Sequence, residues 1–255
     1  MKNNRSKRIA LAVCIFVSAI SMVALVKMIF TPKYDVDQYK TTTVSVSTEV
    51  VEPSTTQIPD NPINFKKLKK KNSDIHAWIN IPGTDIDYPV AQSSYDEDDN
   101  FYLNHGINKK YEFAGTIYTQ KLNSIYFKDP VTVLYGHNML NGTMFAQLHK
   151  FKDPKFFKKH DTIYIYIPKH ILTYKIVSAY IYDDRHILNT FNFNTKKGMK
   201  AYVKSINNPK SISQNVREDF KAATSDKIIT LSTCTSVDSQ RYLVQGVLIN
   251  DETTN

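Results

Sequence analysis

Thr162-Ile163-Tyr164-Ile165-Tyr166-Ile167, followed by Pro168-Lys169-His170 and then by the run Leu172–Tyr182, is the stretch that decides the fold. Isoleucine at every second position gives one apolar face, the period of a half-buried strand. The Pro-Lys-His turn lets the next apolar run return beside it, so the pair reads as antiparallel. Working outward, Val131–Tyr135, Ile228–Leu231 and Tyr242–Ile249 read as further strands. Helical spacing appears at Met144, Leu148 and Phe151, and again at Met199, Tyr202, Val203 and Ile206. The second set lies in a long excursion, Asn189 to Lys227, between two strands. Phe65 and Leu68, in the basic stretch Ile63–Lys71, suggest a short helix leading into the domain. The chain has no internal repeat. It reads as mainly β: a closed or nearly closed antiparallel barrel carrying one inserted helix.

With 255 residues, 42% apolar and 22% charged, the chain can bury a sizeable core in one or two domains. Thirteen Phe and sixteen Tyr argue against wholesale disorder. Two cysteines exclude a disulfide framework and a Cys-rich zinc site. A net charge of +9 suggests nucleic acid, but the excess is at one end. Residues 1–33 hold six Lys/Arg and no acid, leaving 27 basic against 24 acidic residues elsewhere. No nucleic-acid partner is expected.

That end reads as a membrane segment. Lys2, Arg5, Lys7 and Arg8 precede Ile9–Val26, whose only polar members are Ser18 and Ser21. As a helix this run spans roughly 27 Å, close to the bilayer core. The expected division is a cytoplasmic tail 1–8, a signal-anchor 9–30, an extracytoplasmic stalk 31–62 rich in Thr, Ser, Val and Pro, and a catalytic domain 63–255. Positive charge before the span places that domain on the outer face of the membrane. A cleaved signal peptide is the rival; the length of the apolar run and the lack of a small-x-small site favour the anchor.

The two cysteines then separate. Cys14 falls inside the apolar run as a small filler. Cys234 is alone in the exported part, at the end of the Ile228–Leu231 strand. A reactive thiol needs a base or cation beside it. Val131–Tyr135 leads into Gly136-His137-Asn138, which puts an imidazole at a strand tip. Arg241 starts the Tyr242 strand only a short loop after Cys234, so an antiparallel pair would return it toward the thiol. His149, His160 and His170 lie in Lys-rich or turn contexts and read as solvated; His76, His105 and His186 have no comparable strand-end placement.

These residues match a family pattern. Thr230-Leu231-Ser232-Thr233-Cys234-Thr235 followed by Arg241-Tyr242-Leu243-Val244 resembles the sortase TLSTC signature and its arginine strand. Tyr135-Gly136-His137-Asn138-Met139 with Asn141-Gly142-Thr143-Met144-Phe145 resembles the histidine motif of class B sortases. Ala77–Val90 and Tyr102-Leu103-Asn104-His105 are similarly characteristic, and the likeness covers roughly residues 72–249. The resemblance implies a closed eight-stranded barrel with helices before the first strand and a helix between strands six and seven. It implies catalytic Cys234, His137 and Arg241, with Ser232, Thr235, Tyr135 and Asn104 as weaker substrate-binding candidates. Ser232 reads equally well as a core hydroxyl. The Cys234–Arg241 loop is shorter than in the better-known class B members.

The implied reaction is transpeptidation at the C-terminal sorting motif of a secreted protein, NPQTN-like or (S/P/N)PxTG-like, with a peptidoglycan amine of a Gram-positive wall as acceptor. Cys234 thiolate would attack the motif carbonyl, His137 would protonate the departing amine, and Arg241 with the Thr235 N–H would hold the oxyanion. An ordinary thiol and imidazole are mostly both neutral near pH 7, so the productive ion pair would be a minority form. No cofactor and no metal are expected; Asp96-Glu97-Asp98-Asp99 reads as a solvated loop rather than a calcium site. Two rivals remain: a cell-wall cysteine peptidase, although papain-like enzymes place Cys before His, and a non-catalytic membrane-tethered binding module.

Overall fold

The computed structural model describes residues 58–94 and 98–255. The basic tail, the 9–30 segment, Cys14, most of the stalk and Asp96-Glu97 lie outside the described residues. Among those described, no helix is long and apolar enough to cross a membrane.

Helix α1, Phe65–Lys71, is capped by the Asn64 side chain, which accepts from the Lys67 N–H; three lysines fill its last turn, where the helix dipole favours cations. Strands β1 (Ile75–Asn80), β2 (Asp87–Ala91), β3 (Ile117–Tyr118) and β4 (Val131–Tyr135) follow. Next come a 3-10 segment, Phe145–Lys152, and helix α2, Pro154–Lys159. Strands β5 (Thr162–Ile167) and β6 (His170–Asp183) form the expected hairpin. Its loop is the two residues Pro168-Lys169, with Lys169 at φ 70° and His170 already paired with Ile167. Helices α3 (Ile187–Thr190) and α4 (Lys196–Asn207) precede β7 (Gln214–Val216), β8 (Ile228–Cys234) and β9 (Gln240–Thr253).

The strand order is β5-β1-β2-β3-β4-β8-β9-β6-β7, and the β5–β6 pairing closes eight of the strands into a barrel with β7 outside it. Helix α4 lies between β6 and β7, where the inserted helix was expected. One expectation is corrected: the barrel is mixed, not antiparallel. β2 pairs with β3, and β4 with β8, in parallel. Parallel neighbours need long crossovers, and the excursions after β2 and β4 supply them.

Ile163, Ile165 and Ile167 point into the barrel with Ile79, Ile176, Leu231 and Val244. Val131 and Val133 face outward instead, beneath Met199, Tyr202, Val203 and Ile206 of α4. A buried polar relay fixes that helix. The Tyr202 hydroxyl lies 2.6 Å from Thr230 Oγ1 and accepts from Gln245 Nε2, while Ser178 donates to Gln245 Oε1. The Met144, Leu148, Phe151 spacing reads as α-helical but forms 3-10 turns. Phe145, Leu148 and Phe151, three apart, eclipse on one face of that tighter helix and are all fully buried.

Residues 58–62, read with the stalk, bond to the barrel. The Asn61 amide donates to the Ile167 carbonyl (2.9 Å) and to Thr254 Oγ1 (3.3 Å). Asn255 donates through its backbone to the Pro59 carbonyl (3.0 Å) and through its side chain to the Ile58 carbonyl (2.8 Å). The two ends of the domain are thus clasped together.

Buried Arg217 donates to the Ile176 and Phe157 carbonyls, both at 2.6 Å, and tucks its guanidinium over the Phe157 ring. His76 is buried as well. Its Nδ1 must donate to the Ile125 carbonyl (3.0 Å), so Nε2 of the neutral ring accepts from the Thr119 hydroxyl (3.0 Å). Burial pushes its pKa down from 6.5 to about 4, against the pull of the Ile125 carbonyl. The unfolded chain therefore takes up this proton before the folded one does. The associated stability is intact at and above pH 6.5 and is lost as pH falls toward 4, on the order of 3 kcal/mol in all. Urea unfolding of wild type and His76→Gln across that window is the check. A difference between the two that does not change with pH would refute the assignment.

Candidate active site

β8 lies between β4, parallel to it, and β9, antiparallel to it. Two parallel strands end at the same rim, and an antiparallel one begins there. This topology gathers the end of β4, the end of β8 and the start of β9 at one place. The register is explicit: Tyr135 pairs with Ser232, and Cys234 pairs with Arg241. Continuing past Tyr135, the Gly136 N–H donates to the Ser232 carbonyl (3.2 Å), and the Thr233 hydroxyl donates to the Gly136 carbonyl (2.8 Å). His137 follows at the tip. A side chain at Gly136 would run into Ile117 and Phe145, so only glycine brings β4 this close to the layer beneath.

Cys234, His137 and Arg241 line one cleft of about 270 Å³. Ser232 and Tyr135 line it too, whereas Thr235 and Asn104 do not. Cys234 is exposed and carries a free thiol. His137 is half-buried and stacks on Phe113 at 5.5 Å between ring centres. Burial lowers its pKa below 6.5, only partly offset by the Leu103 carbonyl. The imidazolium is therefore scarcer at neutral pH than for an exposed histidine. Arg241 directs Nη1 at its own loop, to the Asp238 carbonyl (2.7 Å) and the Gln240 carbonyl (2.9 Å).

Ser232 is buried at the cleft floor. Tyr135 stacks on Tyr118 at 5.4 Å, and its buried hydroxyl has no hydrogen-bond partner among the described residues. Burial raises its pKa well above the usual tyrosine range. Thr235 closes a small turn with Val237 through its hydroxyl. Asn104 is exposed, and its carbonyl accepts from the Glu112 N–H (3.0 Å); its neighbour Leu103 reaches the cleft.

Several cleft residues were not singled out from the sequence. Tyr182, near the end of β6, and Asp184, Arg185 and His186, just after it, form one wall. His186 holds Gln120 Oε1 at 2.6 Å, and Arg185 pairs with Asp183 at 2.7 Å. The signal was available, because His186 stands three residues past the end of β6, at the same rim. His149, read as solvated, is half-buried behind the site. Its Nε2 lies 3.2 Å from the Cys234 carbonyl, its ring sits 4.9 Å from that of Tyr242, and burial together with Lys152 lowers its pKa. His160 is also not free, since it stacks on Phe156 at 4.2 Å.

Comparisons with known proteins bear on the barrel that carries this cleft. The Sortase domain family matches residues 79–249. Sortase B of Listeria monocytogenes is 31% identical over 194 residues, covering 72% of this chain and 74% of that protein. The X-ray structure of Clostridium perfringens sortase B superposes with a TM-score of 0.65 at 33% identity, over 73% of this chain and all of that one. The Staphylococcus aureus sortase B–substrate complex gives 0.65 at 27% identity, over 75% of this chain and 87% of that one. The chain belongs to the sortase family, on its class B branch, and is a cysteine transpeptidase.

Proposed function

We propose that this transpeptidase cleaves the C-terminal sorting motif of secreted proteins through a Cys234 thioester and passes the acyl group to a peptidoglycan amine. The observation that carries the reading is the convergence of Cys234, His137 and Arg241 from three neighbouring strands on one cleft. Cys234 Sγ, as thiolate, attacks the carbonyl of the motif's threonine. The scissile C–N bond breaks, and the departing amine takes its proton from the His137 imidazolium. The acceptor amine then attacks the thioester, gives a proton back to His137 and releases the thiolate. Arg241 and the Thr235 N–H stabilise the oxyanion in both halves. The motif is NPQTN-like or (S/P/N)PxTG-like. Residues 9–30 tether the enzyme to the membrane with its domain on the extracytoplasmic face.

Mass spectrometry of the protein mixed with each peptide class tests this. A Cys234 acyl adduct that an added amine converts to a ligated peptide is expected. An adduct released only to water makes the protein a peptidase, and no adduct with either class makes it a binding module.

A further inference from the structure

Behind the cleft, His149 on the 3-10 segment meets the backbone of the nucleophile itself. Its Nε2 lies 3.2 Å from the Cys234 carbonyl oxygen. A carbonyl can only accept, so Nε2 carries the proton. Nδ1 is then a bare lone pair, consistent with its having no hydrogen-bond partner in its buried position. The ring is held against Tyr242, which pairs across the ladder with Thr233, and Lys152 lies over the other ring of that contact at 5.3 Å. His149 does not line the cleft, whereas Cys234 does. The Cys234 carbonyl is therefore drawn out of the cleft, toward the 3-10 segment.

That carbonyl shares a peptide plane with the Thr235 N–H. None of the described peptide bonds is cis. In a trans peptide the C=O and N–H point in opposite directions, so fixing one fixes the other. With the carbonyl held on the His149 side, the Thr235 N–H is aimed the other way. We propose that His149 is a positioning residue for acyl transfer: by holding the Cys234 carbonyl, it orients the Thr235 N–H to donate to the oxyanion that forms when Cys234 attacks. Without the His149 donor, the plane after Cys234 loses the bond that holds its carbonyl, at the point where β8 ends and half-buried Thr235 leads into exposed residues 236–239.

This inference rests on reading Cys234 as an acyl-accepting nucleophile, and its test needs no sorting motif. With p-nitrophenyl acetate, Cys234 Sγ bonds to the acetyl carbon, the ester C–O bond breaks, and p-nitrophenolate leaves; water later removes the acetyl group as acetate. An oxyanion forms on the way. Iodoacetamide alkylates the same sulfur by displacing iodide and forms none. In the full-length protein, His149→Phe should slow the acylation about tenfold, less than the loss of a whole oxyanion donor, and leave alkylation within about twofold of wild type. His149→Gln restores a neutral N–H of similar reach and should stay within about threefold of wild type in both reactions. If His149→Phe does not fold, His149→Met, also lacking a donor, takes its place. Unchanged acylation in the donorless variant overturns the proposal. So does equal slowing of both reactions, or a glutamine variant as slow as phenylalanine. A failure to cleave sorting peptides would sink the proposed function and leave this test decisive.

Discussion

Cys234→Ala is expected to reduce peptide cleavage and transfer to background together, because in the proposed mechanism both halves of the reaction pass through the same sulfur. The thiol is exposed at a strand end and free, so its removal should leave the barrel intact. Circular dichroism and the unfolding midpoint should match wild type. Cys14→Ala, in a segment outside the described residues, should leave activity unchanged. A methanethiosulfonate reagent should inactivate wild type and Cys14→Ala alike, through Cys234. Cleavage above background in Cys234→Ala would end the thiol mechanism.

The second large effect concerns Arg241, where a change that preserves charge should not preserve rate. Nη1 is already committed to the Asp238 and Gln240 carbonyls, which folds the β8–β9 loop around the guanidinium. Nε and Nη2 of the same planar fork remain to meet a substrate oxygen. Lysine offers one compact ammonium, which cannot hold the loop and the oxyanion at once. Arg241→Lys and Arg241→Ala should both lose on the order of 10²-fold or more in kcat, with KM changing much less. A KM rise at constant kcat would make Arg241 a substrate binder. Near-wild-type kinetics in both variants would remove it from the site and leave a Cys–His dyad.

What could be read from the chain in advance follows from what is local. The β5–β6 hairpin announces itself through alternation and a turn, and Met199, Tyr202, Val203 and Ile206 mark α4 through their spacing. Cys234, His137 and Arg241 were legible because each sits at the end of a recognisable strand. The parallel β4–β8 pairing was not, since strand direction within a sheet is set by crossovers that leave no periodic trace. The 3-10 segment was misread because three-apart and four-apart apolar residues suit either helix until Phe145 is counted with Leu148 and Phe151. His149 escaped for a plainer reason. Lys150 and Lys152 after it suggest a solvated turn, while its partner is a backbone carbonyl 85 residues away.

The clasp of Asn61 and Asn255 has a mechanical consequence. Tension entering the domain at Ile58 passes at once into the hydrogen bonds to Asn255, Thr254 and Ile167, all at the far end of β9. From Thr253 back to Arg241, that strand runs up to about 40 Å. A pull on a tether would thus enter at the end of the barrel opposite the cleft, through bonds that involve none of Cys234, His137 and Arg241. A tether joined at Ile58 would leave the cleft at the end of the domain farthest from the point of attachment.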